Sequence, residues 1–237
     1  MSKEVTIDEI KKHKSNAIKS LQSTIDQFAN VDISKANKFC YWLEDYSKFL
    51  NYEKNFTPKK LIRYKRGEII KAHLGFNIGS EEGGLHYCIV LDKNNKLSSP
   101  VLTVIPLTSV KDTNKKLRTG EIYIGNEIYV AIRDKINKNY EWISNEINIL
   151  ENKQKNSETV SKDDINYIRK RLEEALHMQD EFNAMKQGSI ALIGQITTIS
   201  KIRIYTPKAK YDTLSNIKVS STTLDKIDNE IKKLFMK

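Results

Sequence analysis

Cysteine and histidine are scarce in this chain of 237 residues: Cys40 and Cys88 are the only cysteines, and His13, His73, His86 and His177 the only histidines. The cysteines stand far apart and the histidines form no HxxxH arrangement, so neither a structural zinc site nor any other bound metal is expected. No cofactor is expected either. Cys88 falls inside a strand-like run and reads as a buried, reduced thiol. No apolar stretch approaches the length of a membrane span, and the opening residues MSKEVTIDEIKKHK lack the apolar region of a signal peptide. A soluble, cytoplasmic protein is the expectation. There is no internal repeat, and no block of basic residues long enough to form a tail.

Positive charge is abundant. Lys and Arg number 40 against 30 Asp and Glu, a formal net charge of +10 with a sequence pI of about 9.3. Such a field concentrates polyanions and speeds their capture. An AT-rich genome also encodes Lys-, Asn- and Ile-rich proteins whatever their partner, so charge alone leaves nucleic acid and a plain solvated surface both open. A hydrophobic fraction of 39% is enough to build one large domain or two small ones.

The periodicity changes four times along the chain. In residues 1–60, Ile18, Leu21, Ile25 and Phe28 repeat at helical spacing, as do Ala36, Phe39, Leu43, Tyr46 and Leu50. Asn30, Val31 and Asp32 break the pattern between them, which predicts two antiparallel helices, and Thr57-Pro58 ends the helical region. From Leu61 the segments RYKRGEIIKAHLGF, HYCIVLDK, PVLTVIPLTS and GEIYIGN are short, rich in Ile, Val, Tyr and Thr, and bounded by turn formers, which predicts an antiparallel sheet or barrel. In the turn KNNKLSSP, Asn94 and Asn95 are expected to tolerate left-handed geometry. Over 127–186, the stripes Ile132, Ile136, Tyr140, Ile143, Ile147, Leu150 and Ile165, Ile168, Leu172, Ala175, Phe182 flank a polar turn. They predict an antiparallel helical hairpin, with Ser161 and Asp164 forming the second helix's cap. Strand character resumes in GSIALIGQITTISKIRIY, and a last helix is capped near Ser221 or Thr222. The chain therefore reads as an α+β protein. Residues 61–126 and 187–237 form one small β domain, preceded by a helical pair and interrupted by the hairpin.

Four motifs in order go further: Arg66-Gly67-Glu68 at the first strand, the loop Gly79 to Gly84, Ser99-Pro100 opening a strand, and Pro106-Leu107-Thr108-Ser109 closing it. With Gln195, Thr198 and Ile199 in the later strand, they resemble the MazF/PemK/Kid toxins of type II toxin–antitoxin systems. The resemblance covers roughly half of the chain and leaves out the first sixty residues and the hairpin. It implies an SH3-like barrel and a homodimer that cleaves single-stranded RNA without metal, by attack of the 2′-hydroxyl to give a 2′,3′-cyclic phosphate. It also implies a cognate antitoxin protein as partner. The related CcdB toxins share the barrel but act on gyrase, so a catalytically inactive module that binds RNA, DNA or a protein is the alternative.

The same resemblance points to site residues. His86 stands where MazF relatives carry an arginine, followed by Tyr87 in place of their proline. Either the arginine's permanent charge and fork of donors are lost, or the histidine, a side chain suited to proton transfer near neutrality, does the acid or base step itself. Thr108 matches the family's catalytic threonine, whose hydroxyl would donate to a phosphate oxygen. Ser109 is a second candidate there. Glu81, with Ser80 and Glu82, lies in the loop before His86, where a carboxylate would orient a histidine or accept from a base edge. Gly83 and Gly84 serve the backbone, Arg66 contacts phosphate or caps its strand, and Gln195 supports. The Arg and Asp that Kid-like members carry ahead of that Gln are here Leu192 and Gly194, and the Arg after it is Thr197.

Overall fold

The computed structural model describes residues 5–110 and 116–237, so residues 1–4 and 111–115 of the regions outlined above lie outside it. The described chain divides into two compact units. The smaller comprises the chain up to Phe56 together with Gly75–Ile78. It holds helices α1 (Ile7–Val31) and α2 (Ile33–Glu53). Thr6 opens α1 with a reciprocal cap: its hydroxyl accepts the Glu9 N–H at 3.3 Å, and the Glu9 carboxylate accepts the Thr6 N–H at 2.9 Å. Asp32 alone separates the helices. Its N–H donates to the Phe28 carbonyl at the end of α1, and its carboxylate accepts the Lys35 N–H at 2.9 Å at the start of α2. Phe28, Phe39 and Phe76 form an aromatic cluster with ring centroids 4.6–6.2 Å apart.

The larger unit, residues 57–74 and 79–237, is a mixed α/β structure. Its strands are β1 (Ile69–His73), β2 (Leu85–Val90), β3 (Val101–Ser109), β4 (Glu121–Gly125), β5 (Ser189–Leu192), β6 (Thr197–Ser200) and β7 (Ile204–Thr206). All pairings are antiparallel, in the order β4-β5-β3-β2-β1-β7, with β6 also on β3. One edge of β3 pairs with β2. The other carries β6 along Val101–Val104 and β5 along Leu107–Ser109. Pro106 falls between those two partners, where a residue with no N–H to donate costs least.

Successive residues point to opposite faces of a strand, and both faces here are buried. Ile69, Ile89, Ile105, Leu107 and Ala191 share a core with helices α3 (Glu127–Lys155), α4 (Lys162–Asn183) and α5 (Ser221–Phe235). Those helices contribute Ile128, Ile132 and Ile136, Met178, and Ile227 respectively. Ile70, Ala72, Cys88, Val90, Leu102 and Val104 face the other way, against Tyr64, Ile199 and Ile204. The base of the α3–α4 hairpin is thus part of the sheet's own core. Lys135 of α3 donates to the carbonyls of Asp212, Thr213 and Ser215 at 2.9–3.0 Å and anchors the loop that leads to α5.

Three local readings of the sequence are corrected. The stretch read as one strand from residue 188 is three short strands, cut by 3₁₀ turns at Ile193–Gln195 and Lys201–Arg203. For the same reason the sheet is not closed: one 3₁₀ turn separates β6 from β7, and among the described residues no hydrogen-bonded pairing joins them. Asn94 and Asn95 are not left-handed. Asn95 is instead buried, and its amide donates to the Asp92 carboxylate and the Val101 carbonyl at 2.8 and 3.0 Å. The cap of α5 is Ser220, one residue earlier than expected, because the Glu127 carboxylate holds it in place.

Candidate active site

The turn before β2 is built on glycine. Gly84 adopts φ +90°, a left-handed conformation that side chains resist, and its carbonyl accepts the Leu74 N–H at 2.7 Å. The chain can therefore fold back so that Glu82 lies beside His86. A Glu82 carboxylate oxygen is 3.1 Å from His86 Nε2, and the other ring nitrogen, Nδ1, is 3.0 Å from the Leu107 carbonyl. Both neighbours are acceptors only, so a ring protonated on both nitrogens satisfies both. Each of the two side chains is about 25% exposed, enough to reach solvent or substrate.

His86 and Thr108 each stand two residues beyond Cys88↔Pro106, the last pair in register between β2 and β3. By alternation both project to the face of Cys88 and Val104. Burial pushes the Cys88 thiol up to about 12, with the Glu82 charge adding to it, so this cysteine is inert beside the pair. Burial likewise pushes the Tyr87 hydroxyl up to about 12, with the Glu181 charge adding; Tyr87 points to the opposite face, against the helices.

Glu82 and Thr108 open onto a cleft of about 720 Å³, which Ser80, Ser109 and Gln195 also line. Gln195 closes one wall. Its amide oxygen accepts the Glu82 N–H at 3.2 Å and its amide nitrogen donates to the Ser80 carbonyl at 3.1 Å. Residues 116–119, including Lys116 and Arg118, also line the cleft, as does Glu121.

His86, Thr108, Ser80, Ser109 and Gln195 are thus brought together, and Gly84 makes the turn that allows it. Gly83 is the residue between Glu82 and that turn. The carboxylate beside His86 belongs to Glu82; Glu81, favoured from the sequence, is exposed. The left-handed turn at Gly84 decides which of two adjacent acids faces the strand, and nothing in the order of residues reveals it. Arg66 is committed elsewhere. Its guanidinium donates to the Leu91 carbonyl and pairs with the Asp228 carboxylate, tying α5 to the sheet. That geometry ties Arg66 to the residue that follows β2 and to α5. Tyr123, on the floor of the cleft, went unnoticed in the sequence. Among the described residues no group of three or more His, Cys, Asp or Glu is placed to hold a metal ion, and no helix is long and apolar enough to cross a membrane.

The charge is not evenly spread. The strand-bearing segments 57–126 and 187–237 hold 21 Lys and Arg against 10 Asp and Glu, whereas the helical segments 1–56 and 127–186 hold 19 against 20. A compositional drift would enrich both alike. The surplus belongs to the part of the chain that carries the cleft.

No curated protein matches this chain. A family model does, over a segment that runs from the approach to β1 into α4 and includes the Glu82–His86 pair and Thr108. Residues 65–176, just under half of the chain, match the family of PemK-like, MazF-like toxins of type II toxin–antitoxin systems.

Proposed function

We propose that this toxin is an endoribonuclease that cuts single-stranded RNA without a metal ion, using Glu82, His86 and Thr108. The observation that carries the reading is the acid–imidazole pair, 3.1 Å apart, whose acid lines the same cleft as Thr108. Glu82 takes the proton of the 2′-hydroxyl as that oxygen attacks phosphorus. The bond from phosphorus to the 5′-oxygen then breaks. Glu82, once protonated, no longer holds the imidazolium, and His86 gives its Nε2 proton to the departing 5′-oxygen. The products are a 2′,3′-cyclic phosphate and a free 5′-hydroxyl. Thr108 donates its hydroxyl to a non-bridging oxygen as charge builds there. This pair does the work that an arginine does in relatives, and the basic surplus of the strand-bearing segments supplies the electrostatic capture.

Three further points belong to the same reading. The strand order β7-β1-β2-β3-β6, with a 3₁₀ turn between β6 and β7 and Ile199 and Ile204 in one core, supports an SH3-like barrel. The toxin acts as a homodimer. Its antitoxin, the partner that a type II system provides, covers the cleft with an acidic segment drawn to the basic surplus of the strand-bearing segments.

The test is cleavage of a long RNA in EDTA. The parent should release fragments ending in 2′,3′-cyclic phosphate, and His86→Ala should lower the rate by about two to four orders of magnitude. A parent that binds RNA but never cuts it would leave a binding module. A His86→Ala protein as fast as the parent at saturating RNA would remove the histidine from the mechanism.

A further inference from the structure

The cleft extends two strands beyond the residues that carry the chemistry. Thr108 of β3 pairs with Ile190 of β5, and Ile190 pairs with Tyr123 of β4. Directly paired residues point to the same face of a sheet. Thr108, Ile190 and Tyr123 therefore form one row across the floor of the cleft, and all three line it. Strands lie about 4.8 Å apart, so Tyr123 stands roughly 10 Å from Thr108.

Tyr123 is a large aromatic residue 51% exposed in a concave site whose lining includes Lys116 and Arg118 together with Glu82 and Glu121. It is also supported from one side. A Cβ built on Gly188, which adopts φ +76°, would lie 3.7 Å from the edge of the Tyr123 ring. The ring thus leans over a position with no side chain, and about half of the residue's surface stays exposed. Lys116 and Arg118 line the same cavity. An exposed, supported aromatic ring beside cationic side chains is the arrangement that holds a nucleobase by stacking while its phosphate is neutralised.

We infer that Tyr123 is the stacking platform for the base of the nucleotide next to the scissile phosphate, which fixes the strand's direction along the Thr108–Ile190–Tyr123 row. This rests on the reading of the cleft as an RNA site. It adds a contact made by the base alone, independent of the proton-transfer pair.

The test is binding in EDTA of an unstructured, mixed-sequence 20-nucleotide DNA strand, which lacks the 2′-hydroxyl and is not cut, and of the same strand made wholly abasic. Base–aromatic stacking predicts that Tyr123→Leu weakens the base-bearing strand by about 10-fold and leaves the abasic strand within about two-fold. Tyr123→Phe, which keeps the ring, should bind within about two-fold of the parent. Equal weakening of both strands by Tyr123→Leu, or equal loss in the Phe variant, would overturn the inference, as would a Leu variant that binds like the parent. The nuclease reading is scored separately, by RNA cleavage. Ring-dependent binding without cleavage would keep the platform and sink the nuclease, and ring-independent binding with cleavage would do the reverse. A parent that binds neither strand and cuts no RNA ends both.

Discussion

Gln195 and Glu82 stand 113 positions apart, yet the side-chain amide of the first accepts the backbone N–H of the second at 3.2 Å. With its bond to the Ser80 carbonyl, Gln195 holds two residues of the loop on which the acid–imidazole pair depends. Because Gln195 grips backbone, the substitution of any side chain in the loop leaves its hold intact.

Gln195→Ala should therefore lower the single-turnover cleavage rate at saturating RNA by about 10- to 100-fold, the range for misplacing a reacting group by an ångström. The RNA dissociation constant should change far less. If the change fell on affinity with the rate untouched, Gln195 would be an RNA contact and not a positioning residue.

Thr108 is expected to act through its hydroxyl. Thr108→Ala should cost one to three orders of magnitude in cleavage rate, as removal of one donor to developing charge does, and Thr108→Ser should recover most of it. A Ser variant as slow as Ala would show that the methyl group, packed at the cleft floor, is what matters.

Binding should be steeply salt-dependent, because 21 Lys and Arg against 10 Asp and Glu sit in the strand-bearing segments. The logarithm of RNA affinity should fall linearly with the logarithm of salt concentration, by counterion release. A flat response between low and high salt would mean that phosphates are not tracked.

The order of elements was legible because periodicity reports the environment of each face. The alternation in 69–73 and 101–109 and the part of the helical stripes made by Ile132, Ile136, Ile143 and Ala175 mark surfaces that became buried, whereas Ile147, Ile165 and Leu172 of the same stripes stay exposed. The breaks were less legible. Ile193 to Ile204 is apolar enough to read as one strand, and only backbone pairing shows where 3₁₀ turns interrupt it. His86 and Thr108 could be named from motifs, since each lies in a short contiguous pattern. Glu82 could not be separated from Glu81, because a glycine's φ angle decides between them. Tyr123 was out of reach for a different reason. Its place beside Thr108 depends on the pairing of β4 with β5, strands separated by the whole helical hairpin.

Lys135→Met should destabilise the protein by about 2–4 kcal/mol, since three backbone carbonyls lose their donor and the replacement offers none. Denaturant unfolding measures this. A loss below about 0.5 kcal/mol would show that water replaces the ammonium at no cost.

Glu127 gives the fold a pH dependence. Partial burial pushes its carboxyl up, but hydrogen bonds from the Thr223 hydroxyl, the Ser220 N–H and the Ser220 hydroxyl, with the Lys226 charge, outweigh it and hold the carboxyl below its ordinary 4.5. A carboxyl depressed in the folded state stabilises fully above its unfolded value, and the contribution is lost as pH falls through the lower, folded value. The unfolding midpoint of the parent should therefore drop below about pH 4.5 more steeply than that of Glu127→Gln. Parallel curves for the two proteins would exclude the cap as the titrating element.

The α3–α4 hairpin leaves and rejoins the sheet at a single point. Gly125 pairs with Ser189, and the Gly188 N–H donates to the Asn126 side-chain oxygen at 2.7 Å, across 62 positions of chain. An excursion whose two ends already touch is topologically a side branch. Closing a loop costs only slightly more as it lengthens, so its outer turns can be extended, trimmed or exchanged while β4 and β5 keep their register and the cleft its floor. Such a branch is a place where a lineage can add a new surface without rebuilding the sheet that carries the cleft.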